Sequence, residues 1–161
     1  MFHLKRCRFP LKNPSKAQLP GILASILALS ASVAHADPDI IKPTAGETVC
    51  IKVFVEGQAK VRDGLRLGVL VQPRGFGNNY WPQNWPVVRQ SGKWDTLTFI
   101  GNNTDQGLQF RVVAAYFYPA AQAKIKKYFD DGKRTGDWRP IPFPQPAAPN
   151  LDEVTVVRGN C

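Results

Sequence analysis

Residues able to do chemistry are unevenly placed along this 161-residue chain. Both histidines, His3 and His35, and one of the three cysteines, Cys7, precede Asp37. From Asp37 onward there is no imidazole to serve as a general base, to complete a Ser-His-Asp or Cys-His arrangement, or to ligate zinc. The remaining thiols, Cys50 and Cys161, form an even pair and are expected to be joined as a disulfide rather than to act as nucleophiles. Gly75-Phe76-Gly77 reads as a flexible loop and lacks the spacing of a phosphate cradle. Carboxylate pairs are the remaining catalytic possibility, since glycoside hydrolysis needs only two of them. Asp130-Asp131 falls at a helix end and Asp152-Glu153 at a strand start, where charge is normally solvated. The residues point away from an enzyme, with a secreted carboxylate-dependent hydrolase as the catalytic alternative. They imply no metal and no cofactor.

The positive signal is a loop over residues 75–85, GFGNNYWPQNW. It sets Phe76, Tyr80, Trp81 and Trp85 beside Asn78, Asn79, Gln83 and Asn84, with Arg74 and Arg89 flanking. Aromatic and arginine side chains dominate protein-interface hot spots. Flat aromatic faces beside amides also suit a sugar, whose C–H patches stack while its hydroxyls pair. The expected binding surface is Arg74, Phe76, Tyr80, Trp81, Trp85 and Arg89, contacting a protein partner or, alternatively, a cell-surface glycan. A plain structural reading stands beside both: such aromatics can fold back to cap the end of a core. Trp94 is expected in the core, whereas Trp138 either anchors the segment after it or extends the aromatic patch.

The start of the chain sets where this would happen. Lys5, Arg6, Arg8, Lys12 and Lys16 form a basic stretch without an acidic residue, an apolar run covers 21–33, and Ala34-His35-Ala36 follows. This order is that of a signal peptide over 1–36, cut after Ala36. The run falls short of the roughly 20 apolar residues that span a bilayer. The protein is therefore expected to be periplasmic or secreted, without stable membrane insertion after cleavage. Removing 1–36 leaves 16 basic against 12 acidic residues, a net charge of +4 instead of +9, which takes away most of the apparent affinity for nucleic acid. A Cys50–Cys161 bridge would close a loop of about 110 residues and stabilise by about 4–5 kcal/mol on the chain-entropy model.

The elements that must position these residues are short. The remaining 37–161 is the size of one domain. Strands are predicted over 48–56, 66–72, 86–90, 93–101, 108–118 and 151–158, with a short first one at 40–42. The run 108–118, the longest and most apolar, is expected at the centre of a sheet. Alternation turns Val49, Ile51, Val53 and Val55 inward, which places Cys50 beside Lys52 and the bridge at an outer or edge surface. Pro119 can open a helix in which Ala121, Ile125, Tyr128 and Phe129 share one face, Lys124, Lys126 and Lys127 face solvent, and Gly132 ends it. The proline-rich stretch 139–149 reads as a stiff strap anchored by Ile141 and Phe143. Together these give a mainly β, antiparallel sandwich of six or seven strands with one helix and a strap.

Across 47–118 the series Leu67-Gly-Val-Leu-Val-Gln-Pro73, Tyr80-Trp81-Pro82-Gln83, Gly92-Lys93-Trp94, Ile100-Gly101, Gly107-x-x-Phe110 and Val112-Val113-Ala114-Ala115 resembles a family of bacterial immunoglobulin-like β-sandwich modules. The resemblance implies a sandwich with a binding or accessory role and supplies no catalytic residues. The helix, the strap and the terminal cysteine are departures from the family pattern.

Overall fold

A computed structural model describes residues 37–161; the expected signal peptide, 1–36, lies outside the described residues. The elements in chain order are β1 (Asp39–Lys42), β2 (Thr48–Val49), β3 (Lys52–Gln58), β4 (Arg66–Pro73), β5 (Asn79–Pro82), β6 (Lys93–Phe99), β7 (Gln109–Phe117), α1 (Pro119–Thr135), β8 (Ile141–Pro142) and β9 (Pro146–Arg158). The fold is mainly β. A three-stranded sheet runs β1-β3-β6 and a six-stranded one runs β2-β9-β7-β4-β5-β8. All pairings are antiparallel except the two-residue β2–β9 contact.

The period-2 pattern of β4 and β7 builds two cores. Leu67, Val69 and Val71 on β4 and Val112, Ala114 and Tyr116 on β7 face the three-stranded sheet and pack with Val55 and Trp94. Leu70, Val113, Ala115 and Phe117, on the opposite face, pack with Ala121 and Ile125 of α1. Three layers result: small sheet, large sheet, helix. β4 and β7 read as continuous apolar runs because both of their faces are covered.

Helix α1 forms where its inward residues recur at helical spacing: Ala121, Ile125, Tyr128 and Gly132 are buried. Pro119 occupies the first turn, where its missing N–H removes nothing. Outward, Lys126 pairs with Asp130 and Lys127 with Asp131, each at 2.6 Å, as exposed i,i+4 contacts screened by solvent. Gly132 does not end the helix. It lies inside the last turns, and Gly136 (φ 74°) makes the cap, its N–H bonded to Gly132 O.

Other expectations are also corrected. The predicted strand 48–56 is interrupted: Thr48 and Val49 pair with β9 in the large sheet, whereas Lys52 onward pairs with β6 in the small one, so the chain changes sheets at Cys50 and Ile51. Residues 86–90 form no strand. They belong to the crossing from β5 to β6, which is tied at its start by Gln83 N–H to Val69 O and Thr96 Oγ1 to Asn84 O and at its end by Arg89 N–H to Lys93 O. The proline-rich stretch is strap and strand together: Ile141 pairs with Tyr80, and β9 begins at Pro146, which pairs with Phe117. Ile141 and Phe143 pack on the second core, as expected of the anchors.

Cys50 and Cys161 are bonded, with Cα atoms 5.2 Å apart. Neither is buried, consistent with a bridge at the edge of the fold.

Candidate functional site

The loop after β4 is shaped by a buried side chain. Gln72 Nε2 donates to Gly77 O at 2.6 Å and to Asn79 O at 3.2 Å, folding the loop back so that β5 runs antiparallel to β4. Gly75 and Gly77 take positive φ of 85° and 69°, a conformation that side chains disfavour. Phe76 is thereby held at the surface, 48% exposed, with its ring 5.4 Å from that of Trp81. Trp81 is half-buried and donates from Nε1 to Trp138 O at 2.9 Å. Trp138, 43% exposed, meets Tyr128 of the helix with centroids 5.6 Å apart. Trp85, also half-buried, lies against the backbone of Gly68 and under the Arg66 guanidinium, 4.3 Å from its centroid.

These rings form one wall of a groove of about 1290 Å³. Helix α1 lines it as well, through Pro119, Gln122, Ala123, Lys126, Tyr128, Phe129, Asp130 and Lys133. Beyond the helix the groove continues past Phe99, Gly101, Asn102, Asp105 and Phe110 at the ends of β6 and β7.

The six residues expected at the surface do not converge as a set. Phe76, Trp81 and Trp85 line the groove. Tyr80 is corrected: alternation along β5 turns it inward, where it is 5% exposed and stacks 4.8 Å from Phe143. Arg74 lies outside the groove and donates to Gln109 Oε1 at 2.6 Å. Arg89 is also outside it and pairs with Asp95 on β6. The contributions of α1 and Arg66 were not expected from sequence, whereas Trp138 extends the aromatic patch, one of the two roles expected of it.

The neutral polar side chains of the groove are mostly engaged within the protein. Gln83, 7% exposed, donates from Nε2 to Trp81 O and accepts from Phe99 N–H at Oε1. Gln122 Nε2 donates to Phe117 O and Gly64 O. Asn102 Oδ1 accepts from Thr104. Among the described residues, Arg66 and Lys133 have no acidic partner within ion-pair distance, whereas Lys126 is neutralised by Asp130. The groove is thus lined by aromatic rings, with Arg66 and Lys133 as cations without an acidic partner and Asp105 as a carboxylate bonded to Asn102 N–H.

Both sequence carboxylate pairs are engaged elsewhere. Asp130 and Asp131 bond helix lysines, Asp152 Oδ2 accepts Ile40 N–H at 2.7 Å, and Glu153 pairs with Arg111. Among the described residues no three His, Cys, Asp or Glu side chains converge as a metal site.

Asp37, the first described residue, is anchored. Its carboxylate accepts from Arg62 Nη2 at 2.7 Å, Lys60 N–H at 3.1 Å and Tyr116 Oη at 3.0 Å. Burial alone would raise its pKa, but these bonds outweigh burial and hold it below the ordinary 3.8. Burial, then the neighbouring Asp37 carboxylate, pushes the Tyr116 hydroxyl up to about 12.

No protein-family model, curated protein or solved structure matches the chain.

Proposed function

We propose that this is an exported, non-catalytic binding domain that holds a protein partner in the aromatic groove between α1 and β5. The carrying observation is that Phe76, Trp81, Trp85 and Trp138 line one groove in which the Gln83 and Gln122 amides are already bonded within the protein. A ligand there gains from apolar burial, about 25 cal/mol per Å² removed from water. A neutral glycan would find the Gln83 and Gln122 amides already taken, which weighs against it. The engaged carboxylates weigh likewise against a hydrolase. The Cys50–Cys161 bridge supports an oxidising compartment, periplasmic or extracellular. The anchoring of Asp37, the residue next to the small-x-small sequence, supports a domain that starts there. The two packed sheets support an immunoglobulin-like reading, with α1 as an added third layer.

Photo-cross-linking tests the site. A photoreactive residue at Ala123, in the groove, is expected to capture a discrete partner in the native host. One at Phe54, exposed on the outer sheet, is not. Capture from position 54 alone would refute the reading.

A further inference from the structure

The groove has a length, a charge pattern and a bonding character, and together they describe its occupant. Gln122 and Lys133 both line it and are eleven residues apart on one helix, about 16 Å along the axis. Gln122 Nε2 reaches Gly64 O at 3.2 Å, so the start of β4, with Arg66, lies at the N-terminal end of α1. Lys133 stands in the last turn. Among the described residues, one cation without an acidic partner therefore stands near each end of α1; aromatic rings also line the groove, as does the Asp105 carboxylate, which accepts Asn102 N–H.

The adjoining strand edge cannot accept a new strand. Pro82 has no N–H, and the N–H of Gln83 is bonded to Val69 O at 2.8 Å. An occupant that needs main-chain hydrogen bonds from the groove finds no donors at these positions. A polyproline II segment needs none, since its backbone has no internal ladder and remains solvated, and its flat pyrrolidine rings suit aromatic walls. At about 3.1 Å per residue, about five residues span the groove.

We propose that the groove binds an acidic, proline-rich segment of a partner protein in the polyproline II conformation, with carboxylates at its two ends meeting Arg66 and Lys133. This rests on the partner-binding reading above. The chain's own segments bring the wrong charge: residues 1–36 are basic without an acidic residue, and the strap begins with Arg139.

The test is calorimetric titration of the purified, disulfide-bonded chain with the synthetic peptide EPPLPPE. Saturable binding is expected. Arg66→Gln and Lys133→Gln should each weaken it about two- to fivefold, in the range of exposed ion pairs. Ala123→Glu, on the exposed helix wall where folding is not at stake, should weaken it about tenfold or more by repelling the acidic peptide. Equal binding of KPPLPPK or of EAALAAE would overturn the charge or the proline requirement. Preference for a uronic-acid oligosaccharide would overturn the proposal in favour of an acidic glycan, and a dimer that excludes the peptide would do so in favour of a second copy. Capture of a partner from position 123 with no peptide binding would defeat this proposal alone; failure of both would defeat the partner-binding reading as well.

Discussion

The indole of Trp138 lies directly against the backbone of Gly132: a Cβ on that glycine would stand 2.4 Å from Trp138 Cε3. No side chain fits there, so the seat of Trp138 in the groove depends on this glycine of the helix. Glycine costs about 1 kcal/mol relative to alanine in a helix interior. Gly132→Ala should recover that amount and lose a similar one by dislodging the ring. Thermal stability is expected to change by less than about 1 kcal/mol. Groove binding should fall sharply, with tryptophan emission shifted to the red as Trp138 enters water. Unchanged emission and binding would refute the arrangement.

Gln83 joins the two sheets, giving to Trp81 O and taking from Phe99 N–H. Gln83→Ala leaves a strand N–H without its partner and should destabilise by about 1–3 kcal/mol. Urea unfolding checks this, and a midpoint equal to the wild type's would contradict the bridging role.

The bridge between Cys50 and Cys161 closes a loop with a sequence separation of 111. Its removal in a Cys50→Ala, Cys161→Ala double variant should lower stability by up to about 4–5 kcal/mol. Guanidinium denaturation with and without reductant should show the same loss for the reduced wild type. The variant itself should not respond to reductant.

Acid should weaken the fold through Asp37. Its folded pKa lies below the ordinary 3.8, so its contribution is complete above that value and disappears as pH falls through the lowered one. Asp37→Asn should flatten this part of the stability profile, measured by denaturant midpoints across acidic pH.

Alkali acts through tyrosine. Tyr116 and Tyr128 are both raised from 10.0 to about 12, chiefly by burial. Their contribution is complete below pH 10 and is lost as pH rises towards 12. Tyrosinate absorbance in the ultraviolet should reveal both as late-titrating groups. Asp37→Asn should bring Tyr116 down while leaving Tyr128 in place.

Much of this architecture is legible from residue types. The apolar run of β7 marks a central strand, the spacing of Ala121, Ile125 and Tyr128 marks a helix face, and Ile141 and Phe143 mark the anchors of the strap. Other features depend on neighbours that the local pattern does not contain. Tyr80 is apolar enough for either side of β5, and Phe143, far along the chain, draws it inward. On β6, Thr96 and Thr98 face the interior while Phe99 is 45% exposed, because Thr96 Oγ1 finds Asn84 O across the sheets. Two glycines carried a signal. Gly68 in the middle of a strand and Gly132 within a helix both permit close approach by aromatic rings, Phe117 and Trp85 at the first and Trp138 at the second.

Covering β4 and β7 on both faces has a consequence for how the molecule opens. Their amide protons are shielded until both outer layers detach, so they should be the last to exchange with deuterated solvent. The helix has only one face packed and can lift away while the two sheets stay joined through the first core. Such a partial opening removes one side of the groove but leaves the disulfide and the sheets in place. Mild heating should therefore silence the domain before it melts, giving recognition a lower temperature ceiling than the fold that carries it.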